Sequence, residues 1–304
     1  MPPWHDTRVL VTGATGFIGA HLVRRLSTLG AQIHAVTRRP PEASRHGEQW
    51  HVADLSDAAA TADLVARVSP EVVLHLASEV TGVREPGTVA PTLAGNLTAA
   101  VNLLTAVTGT PVRSMVLAGS VEEPRDGLAP SSPYAAAKAA ATGYARMFHA
   151  LWQVPVSVLR VAMVYGPGQP DTTKLVPYVT LSLLRGQEPE LTSGSRMVTW
   201  VYVEDVVDAF ILAGTNNAAA GHVLDIGTPD PVSIRDTVEL LATLVNDTTA
   251  DRTVRPRFGA VAARPLDRTQ LSDPGPAERV LGWRPATSLE AGLRQTIAWY
   301  AEHP

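Results

Sequence analysis

The sequence predicts an α/β fold: a doubly wound parallel sheet followed by a smaller C-terminal lobe. Three observations predict it. Strand and helix signals alternate through the first half of the chain. The strand segments are nearly all-apolar runs, the pattern of strands buried on both faces by crossover helices. The first strand then runs directly into three glycines at three-residue spacing, ahead of a helical stretch.

Taken in order, RVLVT at 8–12 is short and β-branched, a buried strand, and residues 20–26 carry helical periodicity. AQIHAV at 31–36 is the second strand, followed by a loop over 39–49 and a short strand at 51–53. A helix over 57–67 leads to the strand 72–77. Residues 88–107 read as mainly helical, interrupted early by Pro91, which cannot donate a helical hydrogen bond. The strand 112–118, the helix 134–151 and the strand 156–161 complete the regular half. Beyond it come a Gly/Pro loop at 165–170, a helix over 174–185 and a strand-to-helix unit starting at Trp200. A turn-rich segment at 225–231, a helix over 234–245, an extended loop-rich stretch at 252–268 and a last helix over 289–300 end the chain. The expected division is 1–165, with 196–228 returning to it, against 166–195 together with 229–304.

At 304 residues and 45% hydrophobic, the chain can bury a large core, as one elaborated domain or two. A formal charge of −4 with scattered signs forms no basic patch, so nucleic acid is not an expected partner. There is no cysteine, which excludes disulfides, thiolate catalysis and cysteine-ligated metals, and no other metal site is read from the motifs. MPPWHD lacks the apolar core of a signal peptide, and no run of ~18 apolar residues is long enough for a membrane span. A soluble cytoplasmic protein, with no membrane partner, is the expectation.

The glycines are Gly13, Gly16 and Gly19, with Thr15, Phe17 and Ile18 between them. Glycine lets the backbone turn tightly and approach a pyrophosphate, and the following helix points free N–H groups at it. Placed after a strand and before a helix, this is the context of a dinucleotide cradle, a Rossmann-like feature. Ligands of such sheets lie at the carboxyl ends of the strands, which adds Leu76 and Ala77 to the expected cofactor contacts. After the second strand stands Thr37-Arg38-Arg39, where an acidic residue gripping the ribose of NAD is usual. Guanidinium suits a 2′-phosphate, so NADP(H) is favoured over NAD(H); the other reading of Arg38 and Arg39 is a solvated basic loop. Asp54 and Leu55 fall beside the adenine, although Asp54 serves equally as an N-cap for the next helix.

Ser120 closes the strand 112–118 and its Gly119 turn, and Tyr134 and Lys138 share a helix face at i and i+4. A tyrosine ionises near ~10, and a nearby ammonium is expected to draw it toward neutrality for proton transfer. Lys138 also suits the cofactor ribose, and Ser120 the substrate oxygen. Hydride transfer at a carbonyl or carbinol carbon needs both this trio and the cradle.

With these motifs the chain resembles the extended branch of the short-chain dehydrogenase/reductase superfamily, the nucleotide-sugar epimerase/dehydratase family. The resemblance rests on TGATGFIG, HLAS at 75–78, Asn96, GS at 119–120 and YAAAK at 134–138. It continues through RVAMVYGPGQ at 160–169, WVYVEDVVDA at 200–209 and LGWRPATSLEAGLRQTIAWY at 281–300. It implies NAD(P) in the first lobe, a nucleoside-diphosphate sugar in the second, and a homodimer. The alanine-rich helix 134–151 and the small residues of 88–107 suit a close helical seam between subunits, or else merely cover the sheet.

Within that family, 4,6-dehydratases follow the catalytic hydroxyl with Asp-Glu, whereas here Ser120 precedes Val121 and Glu122. Gly-Ser-x-Glu-Glu is most similar to the nucleotide-sugar 4-ketoreductases, which implies NADPH-dependent reduction of a 4-keto-6-deoxysugar. An NAD-dependent nucleotide-sugar epimerase, a reductase of a non-nucleotide carbonyl and a non-catalytic dinucleotide-binding protein are the alternatives. Glu122 and Glu123 read either as a solvated pair or as substrate contacts. Met163 stands where the family often has a diphosphate-binding asparagine, and Arg196 is placed to replace an arginine missing at 198–199. Arg264 matches a family arginine that pairs with the diphosphate; its other reading is an ordinary surface arginine.

Overall fold

A computed structural model describes residues 4–39, 46–125, 127–248, 253–264 and 266–303. The chain separates into two compact units. The first takes residues 1–161, 207–226 and 275–283; the second takes 162–206, 227–274 and 284–304.

The first unit is built on seven strands: β1 (Arg8–Thr12), β2 (Gln32–Thr37), β3 (Gln49–Val52), β4 (Val72–His75), β5 (Ser114–Ser120), β6 (Val156–Val161) and β7 (Val223–Ile226). They form one sheet in the order β7-β6-β5-β4-β1-β2-β3, every pair parallel. Leu10, Val73 and Met115 from neighbouring strands join Leu64, Leu103, Leu104 and Phe148 from the helices Ala58–Val68, Ala99–Val107 and Pro133–Trp152 in one apolar cluster. The helix Phe17–Thr28 buries Leu22, Val23 and Leu26, and its Arg25 pairs at 2.6 Å with Asp208 of the helix Val203–Thr215. The expected doubly wound parallel sheet is present.

Three elements depart from the sequence reading. The segment 225–231, expected as turns, begins inside β7, whose register pairs Asp225 with Arg160 of β6. Asp225 interrupts the apolar pattern and hides the strand; the charge is tolerated because Arg160 and Arg125 bind it at 2.8 and 2.5 Å. The strand Trp200–Tyr202 does not return to the main sheet. It pairs with Met163–Tyr165 in the second unit, and the first unit resumes only at Val207. The Pro91 interruption falls downstream: Val89–Thr92 is helical, Leu93–Thr98 is a π-helical turn, and Ala99–Val107 is α. Pro91 sits in a first turn, where its missing N–H costs nothing. The wide turn holds buried Asn96, whose Oδ1 accepts from the Ser78 hydroxyl (2.7 Å) and the Glu79 N–H (2.8 Å).

The second unit carries the helices Leu175–Leu184, Ile234–Thr248 and Leu289–Glu302. Its strand pairs are short, such as Met197–Val198 antiparallel to Val232–Ser233 and Glu190–Leu191 parallel to Arg257–Phe258. Tyr165, Trp200 and Tyr202 stack edge-on at 5.7 Å centroid separations to form its aromatic centre. Part of the expected loop-rich stretch at 252–268 lies outside the described residues. Among the described residues, no helix is long and apolar enough to cross a membrane.

Candidate active site

The chain order of the sheet reverses between β1 and β4, which is where doubly wound folds open a crevice at the strand ends. Gly13, at the end of β1, has φ +72°, and a Cβ there would lie 2.6 Å from the Leu76 and Ala77 backbone. A Cβ on Gly19 would lie 2.0 Å from the Gly13 carbonyl. Glycine at 13 lets the β1 turn nest against the end of β4, and glycine at 19 lets the helix close on that turn. Gly16 caps the helix Phe17–Thr28 in extended conformation with no side-chain cap, and no acidic residue occupies the first turn. The first N–H groups are thus left to an anion, and Thr15 and Gly16 are exposed beside them. A cradle this close to backbone fits a dinucleotide pyrophosphate.

Thr12 joins the two strand ends. Its hydroxyl bonds His75 Nδ1 at 2.7 Å and accepts the Ala77 N–H at 3.1 Å. Burial and the Lys138 charge lower the His75 pKa to about 3, so the ring is neutral. At the far side of the cradle, Arg38 and Arg39 are exposed in a turn in which the Thr37 hydroxyl donates to the Arg39 carbonyl at 2.6 Å. Asp54 does not cap the following helix. Asp57 does, accepting the Ala60 N–H, while Asp54 accepts the Ser56 N–H and hydroxyl at 2.9 and 2.7 Å. Those bonds, and the Arg38 charge, hold its carboxyl below the ordinary range. Leu55 is buried in the core, and its carbonyl is taken by Thr61 and Asn102.

Ser120 is the last residue of β5, and Tyr134 and Lys138 lie in the first turns of the helix Pro133–Trp152. That helix starts where it does because Ser132 caps the Ala135 N–H and Pro133 takes the first helical position. The Ser120 side chain lies beside the Tyr134 hydroxyl and favours its ionised form, so the structure brings the expected trio together. Lys138 Nζ donates to the Ala118 carbonyl at 2.8 Å and stands 5.9 Å from the Tyr134 ring centroid. The expectation that this ammonium draws the phenol toward neutrality is corrected here. Burial pushes Tyr134 well above its ordinary 10, Glu122 and Glu123 add to the rise, and only Ser120 opposes it. Lys138, turned to a backbone carbonyl, is itself lowered to about 8 by burial, against the pull of Glu123.

The two glutamates separate. Glu122 is half-buried, with its N–H donating to Ser120 Oγ at 3.1 Å. Glu123 is buried and bound to the Ser120 N–H and the Thr142 hydroxyl, so the pair is not a solvated one. The sequence does not set its burial apart, because nothing local distinguishes it from Glu122. A signal did exist: Tyr134, Lys138 and Thr142 at i, i+4 and i+8 share a helix face.

In the second unit, Arg196 lies with a guanidinium nitrogen 4.0 Å from the Met163 sulfur and pairs with Asp267 at 3.4 Å. Arg264 is exposed, and its carbonyl accepts the Asp267 N–H at 3.2 Å.

A family model described as the NAD dependent epimerase/dehydratase family matches residues 9–227. A UDP-glucose 4-epimerase of Mycolicibacterium smegmatis is 32% identical over 318 residues, covering 96% of this chain and 98% of its own. A probable dTDP-glucose 4,6-dehydratase of Sinorhizobium fredii is 29% identical, covering 97% and 93%. Among solved structures, MoeE5 in complex with UDP-glucose and NAD is similar with a TM-score of 0.83 at 32% identity, covering 97% of this chain and 99% of the other.

Proposed function

The chain belongs to the NAD dependent epimerase/dehydratase family of nicotinamide-dependent enzymes, and within it we propose an NADPH-dependent 4-ketoreductase of a nucleoside-diphosphate 4-keto-6-deoxysugar. The observation that carries this reading is the turn after β5. Ser120 meets Tyr134, but the next side chain is buried Val121, which has no proton to give for water elimination. On this reading the dehydratase named among the relatives is not the model for the reaction.

The nicotinamide, when bound, supplies hydride. Gly13, Thr15, Gly16, Phe17, Ile18 and Gly19 hold its pyrophosphate, with Leu76 and Ala77 closing the strand side. Tyr134, held as the neutral phenol by its burial, donates the proton to the substrate oxygen. Ser120 orients that oxygen. Lys138 holds the ribose, and below about pH 8 it carries a positive charge there. Arg38 and Arg39 take the 2′-phosphate of NADPH. Glu122 contacts the sugar, and Arg196 and Arg264 take its diphosphate, Arg196 covering the place of Met163.

A second reading is an epimerase that keeps NAD bound, favoured by the Mycolicibacterium relative's name and by the NAD in the MoeE5 complex. Mixing the protein with NADPH or NADH and TDP-, UDP- or GDP-linked 4-keto-6-deoxysugars separates the two. A fall in nicotinamide absorbance, faster with NADPH, is expected. No oxidation with any sugar, together with interconversion of UDP-glucose and UDP-galactose without added cofactor, would establish the epimerase instead. Calorimetry with TDP, UDP and GDP tests the diphosphate site. Arg264→Ala is expected to raise KM for the sugar roughly ten- to a hundredfold and leave NADPH affinity unchanged.

We also infer a homodimer. Ala135, Ala137, Ala141 and Ala145 pack inward, while Tyr144, Met147, Leu151 and Trp152 of the same helix remain exposed. The contact thus uses large apolar side chains rather than the alanines. A light-scattering mass of one chain at micromolar concentration would overturn it.

A further inference from the structure

Glu123 has no step in the reaction above, yet the residue is 5% exposed and both its carboxylate oxygens are engaged at the site. Oε1 accepts the Ser120 N–H at 2.8 Å, and Oε2 accepts the Thr142 hydroxyl at 2.8 Å. One bond ties it to the strand end, the other to the helix of Tyr134 and Lys138. Gly119 makes room for it: a Cβ there would lie 2.7 Å from Oε1 and 3.0 Å from Arg160 Cγ. Behind it Arg160 binds Asp225, which also binds Arg125 of the same turn. Taking a carboxylate out of water costs several kcal/mol unless neighbours compensate, and an apolar residue would fill the same space at lower cost. What an apolar residue cannot supply is the charge.

We propose that Glu123 is a positioning residue of the hydride-transfer site: its carboxylate ties the Ser120 turn to the Tyr134–Lys138 helix and places a buried negative charge between them. This rests on the nicotinamide chemistry of the family and not on which sugar is reduced. The charged and titratable groups around it are Lys138 and Tyr134 from the helix, Arg160 from β6 and Glu122 from the turn. The Lys138 charge also bears on His75 at the end of β4. Glu123 stabilises the Lys138 ammonium and opposes the Tyr134 phenolate, so it keeps both protons in place. Burial in turn raises the affinity of Glu123 itself for a proton, against the pull of Ser120, Thr142, Arg160 and Lys138.

The chain contains two lysines, Lys138 and Lys174, so isotopically labelled lysine yields two side-chain signals that nuclear magnetic resonance can follow against pH. Lys174 is the internal control. Glu123→Gln keeps an acceptor for the Ser120 N–H and lets the amide donate to Thr142, so only the charge is lost. Lys138 is expected to titrate on the order of one pH unit lower in Glu123→Gln and in Glu123→Val. Thr142→Val, which keeps the charge, should leave the Lys138 titration in place while speeding hydrogen exchange at the Ser120 amide. Lys138 titrating alike in wild type and both Glu123 variants would overturn the proposal. So would failure of both Glu123 variants to fold, which would make the residue one the fold itself requires. The samples contain neither cofactor nor sugar, so the outcome is independent of the ketoreductase reading.

Discussion

The glycine cradle and the Ser120 turn lie at the ends of β1 and β5, with β4 between them in one sheet, and are built from opposite materials. At the cradle, the fit is made by what is absent. Gly13 and Gly19 lack the Cβ atoms that would strike the Leu76–Ala77 and Gly13 backbones. Thr12 joins the two strand ends there through uncharged groups, the His75 ring and the Ala77 N–H. At the Ser120 turn, the fit is made by buried charge. Glu123, Lys138, Arg160 and Asp225 compensate one another across β5, β6, β7 and a helix. A backbone cradle holds a ligand that many reactions share. A charged turn sets where protons reside, which is what distinguishes one reaction from another.

Four substitutions test that contrast. The largest effect is expected at the turn. Tyr134→Phe removes the proton donor and nothing else, so turnover should drop roughly 10²–10⁴-fold while cofactor affinity, read by fluorescence titration, stays near wild type. Turnover within a few-fold of wild type would place the acid elsewhere. Next, Gly19→Ala forces a methyl to within 2.0 Å of the Gly13 carbonyl. Overpacking of this kind costs about 3 kcal/mol and should appear in urea unfolding together with lost cofactor binding. Unchanged stability would mean the cradle yields more than its geometry implies.

A smaller effect is expected from His75, whose pKa falls from 6.5 to about 3 on folding. The unfolded chain binds a proton below pH 6.5 that the folded chain refuses, so stability is lost as pH falls from 6.5 toward 3. Between pH 6.5 and 5 the loss from this group is about 2 kcal/mol. His75→Asn should flatten that part of the stability–pH curve; an unchanged slope would show that another group titrates there. The smallest effect is expected from a side chain at the rim of the cradle. Arg38→Ala should weaken NADPH by about 1.5 kcal/mol, close to tenfold, and leave NADH alone. Equal wild-type affinities for the two cofactors would remove the NADP preference altogether.

The cradle was legible in the sequence because its cause is local: a β-branched run, three glycines and a helical period follow one another within 8–26. Tyr134, Lys138 and the Ser132–Pro133 helix start were legible for the same reason, since i,i+4 spacing and capping need only one helix. β7 was not, because Asp225 breaks its apolar pattern and is tolerated only through Arg160 and Arg125, 65 and 100 residues away in the chain. The Trp200–Tyr202 strand looked like any buried strand, and its partner Met163–Tyr165 could not be assigned without the fold. Glu122 and Glu123 are identical as letters, and only the tertiary structure set one half-exposed beside Tyr134 and sank the other beneath Ser120. By itself, then, the sequence determined the sheet-and-helix alternation, the cradle and the Tyr134–Lys138 pair, because each follows from residues within a few positions of one another. The tertiary structure brought Ser120 to that pair and raised Tyr134 where spacing alone had it lowered, because burial and long-range charge act through space rather than along the chain.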